Sequence, residues 1–165
     1  MRVGDLTMPS EQEWVLLAYR LPREPSTPRS QVWRKLKRLG VVQISDGLVA
    51  LPAEPRTREA LEWIAEEVTD NDGDAMLWIG HPTDRSGQRS LRERMVETIA
   101  AEYTAIAADA RSHVSTEPTA RRRSAQRLRR ELHRVQARDF FTPPEGEDAV
   151  RAIGQLVATV TEAPR

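Results

Sequence analysis

The sequence predicts an α+β fold: a β-α-β-β-α-β unit over residues 13–80, followed by a C-terminal helical region of about three helices over 87–162. Three observations carry that prediction. Two apolar runs, "EWVLLAYR" and "AMLWIG", have the length of strands and no helical spacing. Between them lie two segments with helical apolar spacing, and between those a Ser-Asp-Gly turn joins two β-rich runs. After residue 90 the apolar spacing is helical throughout. The element order of the first part is the split βαβ of ferredoxin-like domains.

Residues 1–12 are polar and are expected to be frayed. The run 13–20 is apolar at nearly every position, which suits a strand buried on both faces. "LPREPSTP" breaks it, and Thr27 is expected to cap the next helix with Pro28 at its first position, where a missing N–H costs nothing. Within "RSQVWRKLKRLG", Val32, Trp33, Leu36 and Leu39 form an apolar stripe and Gly40 ends the helix. "VVQIS" and "GLVALP" pair as a hairpin about Ser45-Asp46-Gly47. Leu61, Ile64, Ala65 and Val68 stripe a helix over 56–69, "TDNDGD" closes it, and 75–80 form the last strand. Two helices cover one face of a four-stranded sheet. The second face is therefore expected to be covered by the C-terminal helices or by a second subunit, with a homodimer favoured.

In the helical region, Leu91, Met95, Ile99, Tyr103 or Ile106, and Ala110 lie along one side of a helix over 91–114. Glu117-Pro118 breaks it. Leu128, Leu132 and Val135 then repeat like a coiled-coil seam, and a last helix carries Val150, Ile153, Leu156, Val157 and Val160.

With no cysteine among 165 residues, disulfides, zinc-thiolate sites and thiol chemistry are excluded. No apolar run approaches the ~20 residues that span a bilayer, and "MRVGDLTMPSEQ" has no signal-peptide core. The expectation is a soluble, cytoplasmic protein without a membrane partner. The balance of 25 basic and 25 acidic residues hides a local imbalance, since residues 121–138 hold eight arginines against Glu131 alone. Such asymmetry points to a localised partner surface.

Arg123, Arg127, Arg130, Arg134 and Arg138 advance by four, three, four and four, so they share one helical stripe. Stacked guanidiniums repel one another, and phosphates relieve that repulsion by charge-assisted bonds and counterion release. With Arg121 and Arg122 they form the candidate DNA-binding set. Two other readings stay open: acidic partner helices, or a solvated face. Arg34, Lys35, Lys37 and Arg38 form a second basic patch that reads equally as the polar side of an amphipathic helix. In the loop "RLPREPSTPR", Arg20, Arg23, Ser26, Thr27 and Arg29 are candidates for holding a small oxyanion at a helix start, beside plain capping of that start.

No catalytic set stands out, nor any metal site or cofactor. His81, His113 and His133 lack ligand spacing. The carboxylates Glu66, Glu67, Asp70, Asp72 and Asp74 read as a solvated helix end, and no glycine-rich phosphate loop is present. An enzyme is not expected.

The segment 13–52 resembles the amino-terminal domain of the ChrB family of chromate-resistance regulators. The pattern W-x-L-L-x-Y-x-L-P-x-x-P-S is followed by R-x-x-x-W-R-x-L-x-x-L-G and a hairpin ending in L-P. "ARDFFTPP" (137–144), after a long basic helix, is similar to that family's downstream signature. The resemblance implies a repressor of a chromate-efflux operon that binds promoter DNA and responds to chromate; sulfate, a tetrahedral dianion of similar shape, is expected to bind a site of arginine forks more weakly. Many members carry a further carboxy-terminal domain that this chain, ending at Arg165, is expected to lack, so that sensing would fall to this domain or to a separate partner. The β-α-β-β-α-β part is also similar to the middle region of phenylacetate-type repressors and to small CRISPR-associated nuclease subunits. The nuclease pattern needs an acid at the end of the first strand, where this chain has Arg20. Alternatives to the regulator are an oxyanion-binding or protein-interaction module without DNA binding and, more remotely, a metal-dependent nuclease or a chromate reductase.

Overall fold

A computed structural model describes residues 12–161; the amino-terminal stretch expected to be frayed lies almost wholly outside them. The elements run β1 (Trp14–Arg20), α1 (Thr27–Leu39), β2 (Val42–Ser45), β3 (Leu48–Pro52), α2 (Pro55–Asp70), β4 (Asp74–Gly80), α3 (Arg85–Ser112), α4 (Pro118–Gln136) and α5 (Glu145–Thr161). The fold is α+β, with a β-α-β-β-α-β region followed by helices, as the apolar patterns require. One compact unit ends at Leu91 and a second begins at Arg92.

In the first unit the sheet order is β2-β3-β1-β4, with β1 antiparallel to both of its neighbours. The pleat puts Val15 and Leu17 on one face with Val49 and Leu51 of β3, and all four are fully buried. Val32 and Leu36 of α1, with Leu61, Ile64 and Val68 of α2, complete this core. Trp33 and Leu39, at the margins of the α1 stripe, are only half-buried.

Local signals place the helix ends. Thr27 is the first residue of α1 rather than its cap, and Ser26 occupies the cap position without a side-chain bond. Gly40 ends the helix in the left-handed conformation, at φ 81°. For α2, Glu54 and Thr57 form a reciprocal capping box.

The hairpin turn is the most constrained local feature. Gly47 adopts φ 72°, and a Cβ there would lie 2.4 Å from the Tyr19 carbonyl oxygen. Its own carbonyl accepts the Tyr19 N–H at 2.7 Å, locking the turn against β1. Gly47→Ala is expected to cost about 3 kcal/mol, combining left-handed strain with a steric clash. A urea midpoint unchanged by the substitution would rule this account out.

The apolar run 75–80 does form the last strand, but its apolar character does not bury it on both faces. β4 is an edge strand, and Met76, Trp78 and Ile79 are each more than half exposed. A continuous apolar run shows only that a segment suits a sheet; it does not fix its place in the strand order.

In the second unit α3 extends the predicted helix by six residues at its amino end, where Asp84 accepts the Gly87 N–H at 2.6 Å. Ile99, Tyr103, Ile106, Ala107 and Ala110 of α3 pack in one cluster with Ala125, Leu128 and Val135 of α4. Ala149, Ala152, Ile153 and Leu156 of α5 join it. Val150 was assigned to that seam but is half exposed, because Ala149 and Ala152 take the inward positions. The side chain of Val160 lies outside the described residues. No described helix is long and apolar enough to cross a membrane.

Candidate functional site

The eight arginines of 121–138 divide into two groups once α4 is packed. Arg121 turns inward: it is 9% exposed and donates Nη1–H to the Val114 carbonyl at 3.0 Å, tying the start of α4 to the chain beyond α3. Arg138 makes two bonds to Glu102 of α3, at 2.6 and 2.5 Å. Arg127 pairs with Asp109 of α3 at 2.8 Å and, more distantly, with Glu131 at 3.5 Å. These three brace α4.

The second group is Arg122, Arg123, Arg129, Arg130 and Arg134. All are exposed, and none has a hydrogen-bond or ion-pair partner among the described residues. At 100° per residue, Arg123, Arg130 and Arg134 lie opposite the buried line of Ala125, Leu128 and Val135, with Arg122 and Arg129 on one flank. Gln126 and His133 are the other exposed polar groups on this side. Packing thus removes two members of the predicted stripe, Arg127 and Arg138, from its free surface.

The connector "ARDFFTPP" has a structural role. Asp139 Oδ1 accepts the N–H groups of Phe141 (3.1 Å) and Thr142 (2.8 Å), and Oδ2 accepts the Tyr103 hydroxyl at 2.8 Å. Burial, followed by the bond to Asp139, pushes the Tyr103 phenol well above its ordinary range. Arg92 stacks over Phe141 at 5.0 Å. Arg138→Gln should therefore cost about 1–2 kcal/mol, discounted for partial exposure, by leaving Glu102 without its fork. Chemical denaturation checks this; the salt dependence of any nucleic-acid binding should not change.

The α1 patch is less free than its sequence suggests. Lys35 pairs with Glu67 of α2 at 2.5 Å, Lys37 sits 5.7 Å over the Trp33 ring, and Arg34 donates to the Ser30 carbonyl at 3.2 Å. Arg38 alone of the four has no partner among the described residues.

The loop candidates do converge. Arg20, Arg23, Ser26 and Arg29 line one cavity of about 630 Å³, together with Tyr19, Leu21, Ser30, Trp33, Gln43, Asp46 and Gly47. Thr27 is not among the lining residues. The Arg20 guanidinium is committed to Asp74 at 2.8 Å. Arg23 and Arg29 have no ion pair among the described residues. Burial raises the Tyr19 phenol above its ordinary value; Arg29 opposes the shift and Asp46 adds to it, so both charges act at the phenol. Sequence reading missed Tyr19, Trp33, Gln43 and Asp46. Strand alternation is a signal for Tyr19, and the position of Trp33 at the edge of its stripe is a signal for its half-exposure. Among the described residues no group of three or more histidines or carboxylates could hold a metal ion.

Comparison with known proteins completes the description. A family model described as "Protein ChrB, N-terminal" matches residues 29–117, from the cavity's Arg29 to the residue before α4. "Protein ChrB" of Cupriavidus metallidurans is 32% identical over 140 residues, covering 81% of this chain and 43% of the relative. The chain thus spans less than half the length of that curated relative. No solved structure matches.

Proposed function

The chain belongs to the ChrB family, and on that premise we propose that it is a chromate-responsive, DNA-binding regulator that represses a chromate-efflux operon. It acts in the cytoplasm by binding rather than by catalysis. The observation that carries this reading is the outer face of α4, where Arg122, Arg123, Arg129, Arg130 and Arg134 lack carboxylate partners among the described residues while Arg127 and Arg138 have them. Nearby like charges on a helix destabilise it by a few tenths of a kcal/mol per i,i+4 pair. A phosphate backbone offsets that cost and releases counterions. The face offers little for base readout beyond Gln126, so it positions the protein on DNA rather than selecting sequence. Arg23 and Arg29 in the cavity supply forks for chromate and, more weakly, for sulfate, which shares its shape and charge.

The test is fluorescence anisotropy with the upstream region of the protein's own operon and with unrelated DNA, over a salt series, with and without chromate. Binding that weakens steeply with salt and is relieved by chromate is expected. Failure to bind either DNA at 50 mM salt rejects the reading. Light scattering on the same samples tests the homodimer, which the exposed Met76, Trp78 and Ile79 of β4 support; a monomer at binding concentrations removes that part. One feature favours a protein-interaction module instead: α4 already takes carboxylates from α3 through Arg127 and Arg138. Capture of an acidic helical peptide without DNA affinity would select it.

A further inference from the structure

The cavity beside Tyr19 has more room and more chemistry than a tetrahedral oxyanion uses. At roughly 30 Å³ per water-sized group, an anion of five heavy atoms fills at most about 150 Å³. The cavity is about 630 Å³, within the range of about 300–1,000 Å³ typical of organic-ligand sites. Its wall includes the Trp33 and Tyr19 rings, and flat ligands stack on such surfaces. It also includes Asp46, which opposes a bare dianion but accepts N–H donors. Asp46 is exposed, but its backbone position is constrained. It precedes Gly47, whose backbone is fixed against Tyr19 by the 2.7 Å bond, so the carboxylate's backbone is held at the cavity wall.

We propose that this cavity binds a phosphorylated heterocycle of nucleotide size. The phosphate lies between Arg23 and Arg29, the ring lies along Trp33, and ring N–H donors face Asp46. Guanidinium forks suit a terminal phosphate monoester, and the exposed Asp46 carboxylate at the cavity rim is an acceptor for ring amino groups. The inference goes beyond the regulatory reading and does not require α4 to touch DNA.

Isothermal titration of the full chain with adenosine monophosphate, cytidine monophosphate, inorganic phosphate and adenosine tests it. At least one nucleotide should bind tenfold or more tightly than either phosphate or adenosine. Arg29→Gln should weaken that nucleotide about tenfold. Asp46→Asn should weaken the nucleotide while leaving phosphate as tight or tighter. Arg23→Gln serves in place of Arg29→Gln if the latter loses its circular-dichroism spectrum. Two results overturn the proposal: nucleotides binding no more tightly than phosphate, or nucleotide affinity indifferent to both arginine variants, which would locate binding elsewhere, such as on α4.

Discussion

Replacing Arg123, Arg130 and Arg134 together by glutamine is expected to lower the slope of log K against log salt for DNA by about 2.7, at about 0.9 per phosphate contact. At 0.1 M salt each such contact is worth a factor of about eight relative to 1 M, so the triple variant should bind roughly five-hundredfold more weakly. The loss should be similar for operator and unrelated DNA, because phosphate contacts carry no sequence information. Glutamine preserves helix propensity and much of the aliphatic stem, and the three guanidiniums have no partner to abandon among the described residues. The melting temperature should therefore hold or rise slightly as repulsion along the helix falls. Arg127→Gln is the contrast. It breaks the 2.8 Å pair with Asp109 and should cost stability, up to about 1 kcal/mol for an exposed pair. If the triple variant binds DNA like the parent yet melts earlier, α4 is a packing element and not a nucleic-acid surface.

The split among the arginines marks the limit of what the sequence made legible. Helical spacing alone identified the apolar seam and hence a charged opposite face, and Leu128 and Val135 are indeed buried. It could not show that Asp109 and Glu102 of α3 would reach across to Arg127 and Arg138, since those pairs are 18 and 36 residues apart and depend on how two helices pack. Arg121 is the sharper case. Its position belongs to the buried line, where a long aliphatic stem suits an inward site, but its composition placed it with the surface cations. The turn at Asp46-Gly47 was readable because a Ser-Asp-Gly stretch between two β-rich runs favours a tight turn, and Gly47 takes φ 72° there. The strand order was less so. Two equally apolar runs, 14–20 and 74–80, became a central and an edge strand respectively. The convergence of Arg23, Ser26 and Arg29 was foreseeable because a single short stretch, the loop and the first turn of α1, carries them; the aromatic side of the cavity comes from β1 and from further along α1 and needed the fold.

Asp139→Ala is expected to have the largest effect on the second unit, costing about 3 kcal/mol. The carboxylate serves three donors, and their losses differ in kind. The Phe141 and Thr142 N–H groups hold a tight turn in which Thr142, a β-branched residue, sits at φ 47°. Such residues rarely adopt that conformation, so the turn relies on the carboxylate to hold it. The Tyr103 hydroxyl belongs to a ring only 2% exposed, against which a Cβ on Gly146 would come within 3.1 Å. That ring has little freedom to seek water, so losing its acceptor incurs a desolvation penalty of about 1–3 kcal/mol. Asp139→Asn should recover most of the loss, because its carbonyl still accepts the two backbone N–H groups and its amide can donate to the phenol. Tyr103→Phe should cost about 1 kcal/mol, and combining it with Asp139→Ala should cost less than the sum of the two. The Tyr103 shift adds a pH signature. A phenol whose folded-state pKa is raised contributes stability that is complete below its ordinary value of 10.0 and is lost as pH rises beyond it. Wild-type protein should therefore lose stability above about pH 10 more steeply than Tyr103→Phe. Urea midpoints for the wild type, Asp139→Ala, Tyr103→Phe and the double variant, at neutral and alkaline pH, decide the matter. Additive losses, or alkaline curves that coincide with and without the hydroxyl, would show that Tyr103 and Asp139 act independently.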